Sequence, residues 1–92
     1  MKYRIIIDKQ AEKDIKTILK SGDIGSIKKL KQILDELEET PREGTGHPEK
    51  LKYQNNNIWS RRINKKDRFT YEIIDDDLNI ILIQALGHYS DK

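Results

Sequence analysis

The second half of this 92-residue chain carries a carboxylate, several guanidinium groups and a histidine–tyrosine pair at intervals that a folded sheet could bring together. Glu49 stands in Pro48-Glu49-Lys50-Leu51-Lys52, Arg61 and Arg62 in Trp59-Ser60-Arg61-Arg62-Ile63, Arg68 in Asp67-Arg68-Phe69, and His88-Tyr89 after Gly87. Together they are the parts needed to cut an RNA strand without a metal. A base takes the proton of the ribose 2′-OH, a cation stabilises charge on the phosphoryl oxygens, and an acid protonates the departing 5′-oxygen. Glu49 is the candidate base, with a solvated acid paired to Lys50 or Lys52 as the alternative. Arg62 and Arg68 are the candidate phosphate clamp, because a guanidinium stays charged and binds phosphate oxygens through two parallel donors. The alternative is a cross-strand Arg62–Glu72 pair that only decorates the sheet. His88 is the candidate acid, histidine being the side chain that changes charge near neutral pH. Tyr89 could stack on a base or bond the phosphate. The alternative for both is a frayed chain end.

Composition narrows the partner. Net charge is only +2, with pI about 8.8. Yet residues 50 to 68 hold seven basic side chains and one acid, a local net of 7 − 1 = +6, which leaves 2 − 6 = −4 for the rest. Concentrated positive charge suggests a polyanion partner, and Lys50, Lys52, Arg61 and Lys65 join Arg62 as candidate phosphate contacts. With no cysteine, two histidines 88 − 47 = 41 positions apart and Asp75-Asp76-Asp77 in an evident turn, no metal site and no cofactor are expected. His47 reads as a surface histidine without a partner. The longest apolar run, Ile80 to Ile83, is far too short to span a membrane, and the N-terminus has no signal-peptide pattern. A soluble cytoplasmic protein of one domain, residues 1–92, is expected.

The elements that must position these residues follow from patterning. Tyr3 to Ile7 is β-rich. Asp8 can cap a helix over 9–20, with Ala11, Ile15, Ile18 and Leu19 at helical spacing and Gly22 as its C-terminal stop. Asp23 or Ser26 can cap a second helix bearing Ile27, Leu30, Ile33, Leu34 and Leu37 on one stripe, ending before Thr40-Pro41. Residues 41–48 form a loop. Strands are expected at 51–53, 58–63, 68–74 and 78–86, with turns at 54–57, 64–67 and 75–77. The apolar Ile80–Ile83 marks the last strand as central. The architecture is α+β, β-α-α-β-β-β-β: a mostly antiparallel sheet with two helices on one face and the other face free for a site. Period 2 puts Trp59, Arg61 and Ile63 on one side of their strand and Ile58, Ser60 and Arg62 on the other. With Trp59 and Ile63 as core, Arg62 faces the site.

The order of elements, the Pro-Glu-x-Leu-Lys segment at 48–52, Trp-Ser-Arg-Arg-Ile at 59–63, Arg68-Phe69-Thr70-Tyr71 and the terminal His88-Tyr89 resemble the YoeB/Txe branch of the RelE-like bacterial toxins over nearly the whole chain. The resemblance implies a microbial-ribonuclease-like fold and an endoribonuclease that cuts mRNA in the ribosomal A site and inhibits translation, leaving 2′,3′-cyclic phosphate or 3′-phosphate ends. It implies Glu49 as base, Arg68 as phosphate-stabilising arginine, His88 as acid with Tyr89 beside it, and Lys52 and Arg62 lining the site. It also implies neutralisation by a YefM/Axe-like antitoxin, with homodimerisation left open. Ser90-Asp91-Lys92 extend past the His-Tyr pair, where the family's chains often stop. The competing readings are a toxin of the same fold acting on DNA gyrase and a non-catalytic RNA-binding module.

Overall fold

The computed structural model describes residues 2–52 and 57–87. Strand β1 is Arg4–Ile7, followed by helices α1 (Lys9–Lys20) and α2 (Ile24–Leu37) and by strands β2 (Glu49–Lys50), β3 (Ile58–Arg62), β4 (Arg68–Ile74) and β5 (Asn79–Gln84). One sheet results, in the order β1-β5-β4-β3-β2. Strands β2 to β5 form an antiparallel meander, while β1 runs parallel to β5 at the far edge. The last strand is therefore interior, as its apolar run requires, with Ile80 and Leu82 fully buried.

Both helices start where a side chain replaces the missing backbone partner. The Asp8 carboxylate accepts from Lys9 N–H at 2.9 Å. Asp23 accepts from Ser26 N–H at 3.2 Å and from its hydroxyl at 2.8 Å. Those hydrogen bonds, the Ser26 hydroxyl first, hold the Asp23 carboxyl below the usual carboxylate range. Gly22 takes φ +79 between the helices, where any side chain would be strained. Ala11 and Ile18 of α1 and Leu30, Ile33 and Leu37 of α2 pack with Phe69, Tyr71 and Leu82 to form the core between helices and sheet. The two helices thus cover one face, as expected for an α+β layer.

Several strands are shorter at their ends than expected, with β1 beginning at Arg4, β3 ending at Arg62 and β5 spanning Asn79–Gln84, and two further features differ from the sequence expectation. The first strand after the loop is Glu49–Lys50 and not 51–53, because Glu49 and Lys50 lie opposite Ser60 and Trp59. Pairing extends one bond further, from Leu51 N–H to Ile58 O at 2.9 Å. Tyr53 and residues 54–56 of the expected turn lie outside the described residues. The other difference is on β5. Tyr71 pairs with Leu82 but Thr70 with Gln84, so the register slips by one residue there.

Candidate RNA-processing face

The uncovered face of the sheet gathers some of the candidate residues and excludes others. Glu49 is opposite Ser60, and Ser60 opposite Thr70, so the three form a row across β2, β3 and β4 on one face. Arg62 is opposite Arg68 in the next row of the same face. Ser60 and Thr70 are buried and small, which makes them a floor. Glu49 and Arg62 are exposed and Arg68 is half-buried, which makes them a rim. With strands about 4.8 Å apart and a rise of about 3.3 Å per residue, Glu49 and Arg68 stand roughly 12 Å apart at Cα. Long side chains leaning inward from that distance can flank one phosphodiester.

Arg62 and Arg68 form a close cross-strand pair. Arg62 N–H bonds Gly46 O at 2.6 Å, on the β2 side, and Arg68 N–H bonds Gly87 O at 3.0 Å, on the β5 side. The two residues therefore face each other in a non-hydrogen-bonded position, where Cα atoms approach to about 4.5 Å. Like charges directly opposite are destabilising, and an anion between them reverses the sign. The same register puts Glu72 opposite Ile58, at the far end of the strands, so the decorative Arg62–Glu72 pair does not form.

Arg61 is a correction. It was expected among the phosphate contacts, but it is 0 % exposed and lies on the helix-covered side. All five of its N–H groups are engaged. Nε donates to the Tyr71 hydroxyl at 3.1 Å, Nη1 to Glu36 Oε1 at 2.7 Å and Thr45 O at 3.3 Å, and Nη2 to Thr40 O at 2.7 Å and Glu43 O at 2.8 Å. Tyr71 in turn donates to Pro41 O at 2.7 Å. Burial pushes the Tyr71 hydroxyl up from its ordinary value of 10.0, against the lowering effect of Arg61. Burial also raises the Glu36 carboxyl. The Thr45 hydroxyl and N–H, then Arg61 and Gln32, outweigh it and leave Glu36 below the usual range. Arg61 is thus the peg that ties the loop from Thr40 to Thr45 to the sheet, immediately before the strand that carries Glu49.

Lys50 is also not gathered with Glu49. It pairs with Trp59, whose side chain shares the face of Arg61, so alternation turns Lys50 away. Lys52 is exposed just past β2, and Lys65 is exposed in the turn beyond the Arg62–Arg68 pair. His88 and Tyr89 lie outside the described residues. The chain leading to them is well anchored. Ala85 N–H bonds the buried Asp14 carboxylate at 2.9 Å, Gly87 N–H bonds Asp67 Oδ1 at 2.9 Å, and Gly87 O accepts from Arg68. Asp14 and Asp67 were not singled out in the sequence, although a buried acid on the apolar side of α1 was a visible signal. His47 is exposed, as expected, and takes φ +57 next to Gly46, whose carbonyl accepts from Arg62 N–H. Among the described residues no cluster of three or more histidine, cysteine or acidic side chains could hold a metal, and no helix is long and apolar enough to cross a membrane.

Two helices on a five-stranded mixed sheet, with acid and cations on the bare face, give the α+β fold of RelE-like proteins. More narrowly, the chain belongs to the family of YoeB-like toxins of bacterial type II toxin–antitoxin systems, whose family model matches residues 7–89. It is 43% identical over 54 residues to Toxin YoeB of Escherichia coli, covering 59% of this chain and 64% of that protein. The match therefore spans a little under two thirds of that curated relative. The YoeB dimer from Staphylococcus aureus superposes with TM-score 0.77 at 33% identity, covering 97% of this chain and 100% of that one. The YoeB–YefM complex from the same organism gives TM-score 0.75 at 30% identity, with coverage of 97% and 100%.

Proposed function

We propose that this chain is a metal-independent endoribonuclease that cuts mRNA in the ribosomal A site and is held inactive by an antitoxin encoded with it. One observation carries the reading: Glu49 and the Arg62–Arg68 pair share the sheet face that the helices leave bare. In the proposed reaction Glu49 removes the 2′-OH proton and the 2′-oxygen attacks the adjacent phosphorus. Arg68 and Arg62 stabilise the extra negative charge on the phosphoryl oxygens, while Lys52, past Leu51 and so beyond Ile58 in the register, is left to contact RNA further along the strand. His88, next in the chain after the anchored Gly87, protonates the 5′-oxygen as the P–O bond breaks, and Tyr89 stands beside it. A 2′,3′-cyclic phosphate and a 5′-hydroxyl balance the reaction, and opening of the ring gives a 3′-phosphate. General acid and base catalysis each contribute roughly 10²–10⁴-fold. The YoeB–YefM complex supports a YefM-like antitoxin as partner, and the YoeB dimer supports self-association.

The test is to induce the chain in cells and map RNA ends. New 5′-hydroxyl ends within translated regions are expected, and Glu49→Gln and His88→Ala are each expected to abolish them and the growth arrest while antitoxin binding is kept. Intact mRNA with DNA damage would replace the reading by one of gyrase poisoning. RNA binding without cleavage would reduce the protein to a binding module.

A further inference from the structure

Helix α1 carries a second basic surface, on the opposite side of the molecule from Glu49. Lys9, Lys13, Lys16 and Lys20 are all exposed. At about 100° per residue they fall within an arc of roughly 60°, in a row about 16 Å long. That row points straight away from the core, since Ala11 and Ile18 lie about 180–200° round the helix from it, and both are buried. Among the described residues the ion pairs are Lys2–Glu38, Arg42–Asp75 and Arg61–Glu36, and none involves the row. Three neighbouring pairs in it are like-charged at i,i+3 or i,i+4, a spacing that destabilises a helix. Lys9 moreover occupies the first turn, where the helix dipole disfavours a cation. Two exposed acids lie near the row among the described residues: Glu12 on one side of it and the N-cap Asp8 beside Lys9. Lys20, in the last turn, is placed where the dipole favours a cation, and Glu12 stands at i,i+4 before Lys16, so the like-charge spacings are offset only in part and the four cations remain concentrated on one face.

We infer that this lysine row binds the phosphate backbone of duplex RNA flanking the strand to be cut. The inference rests on the ribonuclease reading and deepens it. A scissile strand on the bare sheet face cannot also reach α1, because the helical layer lies on the other side of the sheet. The row has no aromatic residue on which unpaired bases could stack (α1 reads KQAEKDIKTILK), whereas single strands are held largely by such stacking. The row itself holds no apolar side chain, and the exposed Leu19 stands about 90° round the helix from its centre, so a protein seated on the row would not find there the apolar centre that an interface needs. What remains is a rigid line of point charges, suited to the regular phosphates of an A-form helix, which proteins read by shape and backbone.

The test compares the full chain with K9Q/K13Q/K16Q/K20Q, in which glutamine keeps nearly the same helix propensity. Affinity for an RNA duplex of about 16 bp is measured across salt. At about 0.7–0.9 per phosphate contact, the slope of log K against log salt is expected to fall by about 3 in the variant. The wild type's advantage should then shrink roughly 50–150-fold between about 50 and 200 mM salt. The quadruple Lys→Arg variant should bind like wild type, and Glu12→Gln should bind more tightly. In a cell-free translation reaction the Gln variant should need more ribosomes for half-maximal cleavage but cut at the same rate at saturation. Unchanged duplex affinity and salt slope, with the variant still folded, would overturn the inference. So would stronger row-dependent binding to an acidic peptide than to the duplex. If the row binds duplex RNA but the wild type cuts no mRNA, the ribonuclease reading fails and the surface stands. If mRNA is cut and neutralising the row changes nothing, the reverse holds.

Discussion

Replacing Arg61 by methionine should cost about 3 kcal/mol of folding stability, while the same change at the adjacent Arg62 should cost almost nothing. Arg61 is fully buried and holds Glu36 through a 2.7 Å ion pair. Removing one partner of a buried pair typically costs about 3–5 kcal/mol, because the other charge is left without compensation. The lower end applies here. The Glu36 side chain is 24% exposed, so water reaches it, and it keeps its bonds from Thr45 and Gln32. The carbonyls of Thr40, Glu43 and Thr45 lie in a loop near solvent and can be hydrated in part. Against a total stability of about 5–15 kcal/mol, this loss is large. In urea it lowers the midpoint by about 2 M for an m value of about 1.5 kcal/mol/M. On heating it lowers Tm by about 12–24 °C. Arg62→Met is an exposed change, expected to stay within about 0.5 kcal/mol. A double-mutant cycle with Glu36→Gln should show coupling of at least about 1 kcal/mol, since the residues share one network. A loss below about 1 kcal/mol for Arg61→Met, or additivity with Glu36→Gln, would refute the claim that this peg holds the loop.

Three further outcomes follow from the same structure. Stability should fall as pH drops below about 4.5, because Glu36, and below it Asp23 and Asp75, have folded-state values under their ordinary 4.5 and 3.8. A lowered acid contributes its stability above the unfolded value and loses it as pH falls through the folded one, so urea midpoints should decline there and decline less in Glu36→Gln. Tyr71 works in the opposite direction. Its folded value is raised above 10.0, so its contribution is intact below pH 10 and is lost as pH rises through the folded value; alkaline denaturation should be shallower in Tyr71→Phe. Gly46→Ala should destabilise by about 2–3 kcal/mol and Gly22→Ala by about 1 kcal/mol, since both have positive φ. At Gly46 the new Cβ would also meet Arg62 O at 2.8 Å, whereas at Gly22 it meets nothing within 4 Å; equal losses in thermal melts would show that the contact at Gly46 does not matter.

The helices, their caps and the interior position of β5 were legible because each is a local pattern: Asp8 and Asp23 before apolar periodicity, Gly22 after it, an unbroken aliphatic run at Ile80–Ile83. The bare face was legible too, since alternation from Trp59 assigns Arg62 to it. The roles of Arg61, Lys50 and Asp14 were not. They depend on which strand lies beside which and on where α2 and the 40–45 loop come to rest, and these are contacts between residues far apart in the chain. Summing charge over segments also hid the lysine row on α1. Outside residues 50–68 the chain sums to −4, and only helical periodicity separates the lysines of one face from the acids of others.

The adjacent arginines show how one rule produces both outcomes. Arg61 and Arg62 have identical side chains, yet a two-residue period sends them to opposite sides of a sheet that is covered on one side only. On the covered side a guanidinium can persist only if every donor finds a protein acceptor, so Arg61 becomes structural and its neighbours become acceptors. On the bare side the facing residue is another arginine, so two cations share one row of the sheet, an arrangement suited to an anion. The lysine row extends the same logic across the molecule, whose smallest dimension is 24 Å. The lysine row of α1 points away from the sheet, and Arg62 and Arg68 share the face that the helices leave bare, so two RNA surfaces on either side of the molecule could engage both at once. A lone strand in solution offers only one such surface. Cleavage that depends on a large structured RNA holding the substrate is what this geometry requires if both surfaces bind.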